Sequence, residues 1–208
     1  MGLTAIAINC TLKSRSDPPS STDRMIGLIA DALKQHNVQL TETIRIAERD
    51  VLPGVTSDEG PGDAWPDIRK RILAADILIF GTPIWLGQPS SLAKRVLERM
   101  DAFFSEMDDR GRSPAFSKVA VAAIVGNEDG AHHVTAERFQ ALNDVGWTIP
   151  AMAACYWVGE AMHKTNFNEL HPVPKQVCEL AAGVAASAAH LASLLSANAY
   201  PGRAPQQS

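Results

Sequence analysis

Between Ala75 and Asp101 (ADILIFGTPIWLGQPSSLAKRVLERMD) the hydrophobic period changes abruptly, and few folds accommodate that change. Ile77-Leu78-Ile79-Phe80 is an unbroken apolar run, long enough for one buried strand and too short for a helix. Gly81, Thr82 and Pro83 punctuate it, followed by Ile84-Trp85-Leu86 and then Gly87. From Gln88 onward Leu92, Val96, Met100 and Phe103 share one helical face, with Pro89 and Ser90 or Ser91 marking the helix entry. A strand-to-helix loop of this kind lies at the carboxyl edge of a parallel sheet, where open α/β folds bind ligands. The bulky apolar residues between the glycines make this loop a candidate wall for a flat ligand.

The rest of the chain repeats the pattern. Leu3 to Ile8 is continuously apolar, as a central parallel strand covered on both faces would be. A helix follows from about Thr22 to His36, with Ser20, Ser21 or Thr22 as N-cap and Met25, Leu28, Ile29, Ala32 and Leu33 inward. Val38 to Ile46 alternates polar and apolar, which places it at the sheet's margin. A Gly/Pro-rich loop at 53–63 precedes a short helix from Trp65 to Ala74. After a helix at 88–107 and a polar loop at 107–117, Val119 to Val125 reads as another buried strand. It ends in Gly126-Asn127-Glu128-Asp129-Gly130 and a helix to Val145. Ile149 to Cys155 reads as a fifth strand with Tyr156 and Trp157 at its mouth; residues 160–173 are irregular, and a last helix spans 174–197. Such alternation specifies a doubly wound parallel sheet, order 2-1-3-4-5, as one domain over 1–197 with a mobile tail at 198–208.

Composition narrows the class. The chain has 208 residues, 46% hydrophobic and 20% charged, with a formal net charge of -4. That suits one globular core and leaves no footprint for a nucleic-acid partner. No apolar run is read as long enough to cross a bilayer, and Leu180 to Leu195, with Ser187, His190 and Ser193 inside it, is read as a packed helix, so no membrane partner is expected. Cys10, Cys155 and Cys178 are odd in number and far apart, which argues against a disulfide framework, a zinc site or an iron–sulfur cluster. The expected compartment is the cytoplasm.

Three loops share the carboxyl edge. The first, after strand one, carries Thr11, Lys13, Ser14, Arg15, Ser16, Ser20, Ser21 and Thr22 just ahead of a helix N-terminus. Free N–H groups, the helix dipole and hydroxyl donors suit an anion such as phosphate there. The same residues also suit a plain N-capped helix behind a solvated loop. In the second loop Pro83, Ile84, Trp85 and Leu86 could back an aromatic ring system, or Trp85 could pack the sheet's end. The third, Gly126 to Gly130, can bring backbone close to a ligand or be a simple turn. His132 and His133 are adjacent and point about 100° apart on a helix, an awkward pair for one metal ion, and no metal is expected. No G-x-G-x-x-G follows a strand, and no G-x-x-x-x-G-K-[ST] or G-x-S-x-G occurs.

GTPIWLGQPSSLAKRVLERMD resembles the central motif of the flavodoxin-like NADPH-dependent FMN reductases, and VGNEDGAHHV is similar to that family's glycine-rich third flavin loop. The resemblance implies a flavodoxin-like fold, bound FMN, NADH or NADPH as co-substrate, and assembly as a homodimer or homotetramer. By position, Thr11, Lys13, Ser14, Ser20, Ser21 and Thr22 would hold the FMN phosphate. Pro83, Ile84, Trp85, Leu86 and Gly87 would line the isoalloxazine, with Gly126, Asn127, Glu128 and Gly130, and His133 beside them. The family's compact Gly-Ser-x-Arg phosphate loop is replaced here by Asn9-Cys10-Thr11-Leu12-Lys13, lengthened by Asp17-Pro18-Pro19.

The implied chemistry is carried by the flavin, with no protein side chain as acid or base. NAD(P)H delivers hydride to flavin N5, and a small planar electron acceptor such as a quinone takes its place in turn. Backbone N–H groups of the 126–130 loop would face charge developing near N1, and Glu128 and Asp129 are expected to turn to solvent. The rivals are a flavodoxin-type electron carrier and a non-catalytic flavin-binding protein. Cys10 and Cys155 read as buried fillers, and Trp157 and Met162 as packing residues that could instead cap a flavin.

Overall fold

The unbroken apolar runs pair with one another in parallel, as their lack of alternation requires. The computed structural model describes residues 2–14, 19–160 and 163–203; the expectations placed on residues 15–18, on Met162 and on 204–208 lie outside them. The elements are β1 (Thr4–Asn9), α1 (Ser21–Lys34), β2 (Gln39–Arg45), α2 (Trp65–Ala74), β3 (Ile77–Trp85), β4 (Gln88–Pro89), α3 (Ser91–Met100), β5 (Val119–Gly126), α4 (Ala131–Asp144), β6 (Ala154–Val158) and α5 (Lys175–Ala197). The sheet runs β2-β1-β3-β5-β6, with the two-residue β4 folded back antiparallel on β3. Without β4 this is the 2-1-3-4-5 order, and the fold is flavodoxin-like. The alternating strand β2 is at the edge.

Side-chain alternation along each strand feeds two cores. Ala5, Ala7, Ile77, Ile79, Val119 and Val121 meet α1 and α5 on one face. Ile6, Ile8, Leu78, Phe80 and Ala120 meet α2 and α3 on the other, where Ala122 and Ile124 meet α4. By length and composition α5 could cross a bilayer, contrary to the sequence reading; its buried face, Val177, Ala181, Val184, Ala185 and Ala188, instead packs on α1 and the sheet.

Two segments depart from expectation near the site. The third strand continues past Gly81 because Thr82 and Pro83 pair with Ile124 and Val125 of β5. The expected helix at 88–107 accordingly begins only at Ser91, and a 3₁₀ turn at Asp101–Phe104 follows α3. The last strand starts at Ala154 rather than Ile149: Pro150 has no N–H for a ladder, and Met152 turns the chain with φ of 56°. Residues 198–203, expected to be mobile, lie along the 108–117 loop, with Tyr200 N–H donating to Ser117 Oγ at 2.9 Å and Arg203 N–H to Arg110 O at 2.8 Å.

The loop between β2 and α2 is pinned by an ion pair with no solvent exposure. Arg99 donates to Asp63 Oδ2 at 2.7 Å and to the carbonyls of Leu52 at 2.9 Å and Thr56 at 3.0 Å. Burial alone would raise the Asp63 carboxyl, but Arg99 and the N–H donors of Glu59, Trp65 and Leu52 outweigh it and hold its pKa at about 2. A depressed carboxylate stabilises the fold above its unfolded pKa of 3.8 and loses that contribution as pH falls toward 2. Urea denaturation should show wild type losing about 2 kcal/mol from this group over that window, a component absent from the pH profile of Asp63→Asn. At Gly81 an added Cβ would lie 2.7 Å from Ile26 Cδ1 and 2.9 Å from Thr22 Cγ2. Gly81→Ala should cost about 1–3 kcal/mol in the same assay, because α1 must retreat.

Candidate functional site

Asn9 and Asp23 organise the first loop. The wholly buried Asn9 accepts the Thr11 N–H through Oδ1 at 2.9 Å and donates through Nδ2 to the Asp23 carboxylate. Ser20 caps α1, its Oγ accepting the Asp23 N–H at 3.0 Å while Asp23 accepts the Ser20 N–H in return. Arg45, at the end of β2, pairs with Asp23 and donates to Lys13 O at 3.1 Å. The Asp23 charge is therefore matched, and the positive end of α1 is left open to an anion.

The loop's donors divide in two. The N–H of Thr11 is bound to Asn9 and that of Lys13 to Thr11 Oγ1 at 3.3 Å, so both serve the loop itself. Ser21 and Thr22 open α1 and have no carbonyl one turn earlier inside the helix. Their N–H groups, the hydroxyls of Thr11 and Thr22 and the Lys13 ammonium form the donor set available to an anion. Thr11, Lys13, Ser20, Ser21 and Thr22 all line one pocket of about 190 Å³.

The apolar loop is a hairpin. Ile84 faces Pro89 and Trp85 faces Gln88, so the turn has only Leu86 and Gly87, with φ of 53° and 72°. Two positive φ values make it a type I′ turn, whose twist matches the strands. Leucine rarely adopts this conformation, and the strain is held by a cross-link: Glu128 Oε1 accepts the Leu86 N–H at 2.9 Å. Glu128 thus does not turn freely to solvent as expected, whereas Asp129 does. Gly126 and Gly130 allow the contact, since added Cβ atoms would lie 2.9 Å from Ile84 Cβ and 2.8 Å from Gly87 Cα.

A third wall was only partly read from sequence, which gave Trp157 as a packing residue that could instead cap a flavin and did not single out Phe167. Trp157 and Phe167, ring centroids 5.5 Å apart, line the same pocket, with Leu12, Val125 and Asn166 completing it. Phe167 lies in a 3₁₀ turn (Phe167–Glu169) within the stretch read as irregular. The capping pattern Asn166…Glu169 was the available signal.

The structure thus gathers Thr11, Lys13, Ser20, Ser21, Thr22, Pro83, Ile84, Trp85, Gly126 and Asn127 around one pocket. Leu86, 91% exposed, and Gly87 form the hairpin tip outside it, joined there by Glu128. Ser14, half-buried, is also outside the lining. His133 and Gly130 border a neighbouring surface hollow; His133 Nε2 lies 3.1 Å from Gln88 Oε1 and 3.0 Å from Glu137 Oε1. Among the described residues no group of three His, Cys, Asp or Glu gathers for a metal.

Residues 4–162 match the family model described as NADPH-dependent FMN reductase. The chain is 32% identical over 170 residues to 8-demethyl-8-aminoriboflavin-5'-phosphate synthase of Streptomyces davaonensis, covering 77% of this chain and 65% of that protein. It is 38% identical over 164 residues to a divalent metal cation transporter, MntH, of Mycobacterium bovis, covering 77% of this chain but 24% of that protein. The chain thus spans about a quarter of the length of one curated relative and just under two thirds of the other. Its fold matches the crystal structure of RosB with bound 8-demethyl-8-formylriboflavin-5'-phosphate at a TM-score of 0.84 and 29% identity, over 95% of this chain and 82% of that one.

Cys10 and Cys155 are buried near the strand ends, and burial pushes both thiols up to about 12, outweighing the pull of Arg138 on Cys10. Cys178 is exposed. A thiol reagent at neutral pH should therefore label Cys178 alone in the native protein and all three in urea. Rapid native labelling of Cys10 would contradict the closed loop described here.

Proposed function

This chain belongs to the NADPH-dependent FMN reductase family, and from that premise we propose that its pocket binds FMN and serves an NAD(P)H-dependent oxidoreductase. The observation that carries the proposal is the meeting, in one pocket, of an open helix N-terminus with hydroxyl and ammonium donors and a rigid apolar hairpin. The donor set fits a phosphomonoester: N–H of Ser21 and Thr22, hydroxyls of Thr11 and Thr22, and the ammonium of Lys13. Pro83, Ile84 and Trp85, with Gly126 and Asn127, would back the ring system, and Trp157 would close its side.

Held by these residues, FMN would supply the redox chemistry between NADH or NADPH and a second planar molecule such as a quinone. The residues bind, orient and partly exclude water. A pocket of about 190 Å³ lies below the roughly 300–1,000 Å³ that encloses a drug-sized ligand, so a flat ring would keep one face accessible. Trp85, 54% exposed, stands at that rim, where it can flank a stacking nicotinamide or acceptor. Homodimeric or homotetrameric assembly and a cytoplasmic location belong to the same proposal.

Similarity in sequence and fold to proteins named for modified riboflavin phosphates supports a second reading, in which the flavin is the substrate. One experiment separates the two. The protein is loaded with FMN, freed of excess, titrated anaerobically with NADH and NADPH, and its flavin recovered for mass spectrometry. Retained yellow colour bleached by a nicotinamide, with unchanged flavin mass, is the expected result. An altered flavin mass would favour the substrate reading, bleaching only by dithionite would favour an electron carrier, and no retained colour would reject all three. Trp85→Ala should weaken FMN retention about tenfold while leaving the melting temperature close to wild type.

A further inference from the structure

Asn168 does not line the pocket, yet it holds the residues on both sides of the cap of α1. Its Nδ2 donates to Pro19 O at 2.8 Å. Its backbone N–H donates to Ser21 Oγ at 3.2 Å, and its Oδ1 accepts the Ser21 hydroxyl at 3.0 Å. Ser20, between those two partners, is the N-cap. A further tie fastens the same turn to α1, with Arg24 Nη1 donating to Phe167 O at 2.8 Å and the buried Phe167 ring resting against Trp157. The Ser21 hydroxyl proton is directed at Asn168, so only the Ser21 backbone N–H remains to face an anion.

We infer that Asn168 is a positioning residue for the phosphate end of the ligand. It presets the turn at 19–21 so that the first N–H groups of α1 converge, and the Ser21 hydroxyl acts through it rather than on the phosphate. The same contacts make the stretch around Phe167 a wall whose placement depends on the first loop. The inference rests on the flavin mononucleotide proposal and assigns phosphate discrimination to a residue about one hundred and fifty positions downstream of the loop it serves, matching the separation of 147 between Ser21 and Asn168.

The test compares dissociation constants for FMN and for riboflavin, which lacks the phosphate, in wild type, Asn168→Ala, Ser21→Ala and the double variant. Thermal melting confirms that each is folded. Asn168→Ala should weaken FMN about five- to thirtyfold and leave riboflavin within about twofold. Ser21→Ala should do the same, and the double variant should be no weaker than either single beyond about twofold, because both remove one coupled contact. Without ligand, amide hydrogen exchange at residues 20–22 should quicken in Asn168→Ala. Equal losses for both flavins would mean general loosening and overturn the inference, as would FMN affinity untouched by Asn168→Ala. Multiplying losses in the double variant would place the Ser21 hydroxyl on the phosphate itself and also overturn it. Wild type that binds neither flavin would reject the flavin proposal, and this inference with it.

Discussion

The end of β1 meets the middle of β3 where Asn9 pairs with Gly81, and the site depends on that register. The Cys10 N–H donates to Gly81 O at 2.9 Å, so β1 stops there while β3 runs on. Ser90 reinforces the junction, capping α3 while its hydroxyl donates to Cys10 O at 2.7 Å. Gly81 has no side chain to hold off Thr22 and Ile26, which lets the open end of α1 settle beside the strand that carries the hairpin. Two chemically opposite walls, one of donors and one of apolar rings, thereby stand a few side chains apart.

The donor wall is built economically. Asp23, in the first turn of α1, is engaged by Asn9, Ser20 and Arg45, so it shapes the loop while its own negative charge is matched. The hairpin is rigid for a different reason. Its two-residue turn places a leucine at positive φ, and the Glu128 carboxylate and the close approach of Gly130 hold it there. A wall fixed in this way can meet a planar ring without first losing conformational freedom.

The central strands, the edge strand and α2 were legible because their apolar periods are set by burial on one or two faces, and burial is what the sheet imposes. The hairpin was read as a loop because Gly81 and Pro83 are local breakers, whereas pairing of Thr82 and Pro83 with β5 is a long-range effect that overrides them. Thr11, Lys13, Ser21 and Thr22, which line the pocket, stood out as candidates because hydroxyls and a lysine ahead of a helix carry their own chemical meaning. Asn9, Asp23 and Arg45 did not, since their work is to satisfy one another across the sheet's edge. Trp157 was read as a packing residue that could instead cap a flavin, but Asn166 and Phe167 were missed: their stretch is aperiodic, and only contacts with α1 give it a place.

The central claim, that these loops form one flavin mononucleotide site, is tested most directly by a crystal structure of the protein with FMN. The account predicts phosphate oxygens within hydrogen-bond distance of the Ser21 and Thr22 N–H groups, and the ring lying against Pro83, Ile84 and Trp85 near Gly126. FMN seated elsewhere, or oriented with its phosphate at the hairpin and its ring at the end of α1, would contradict it.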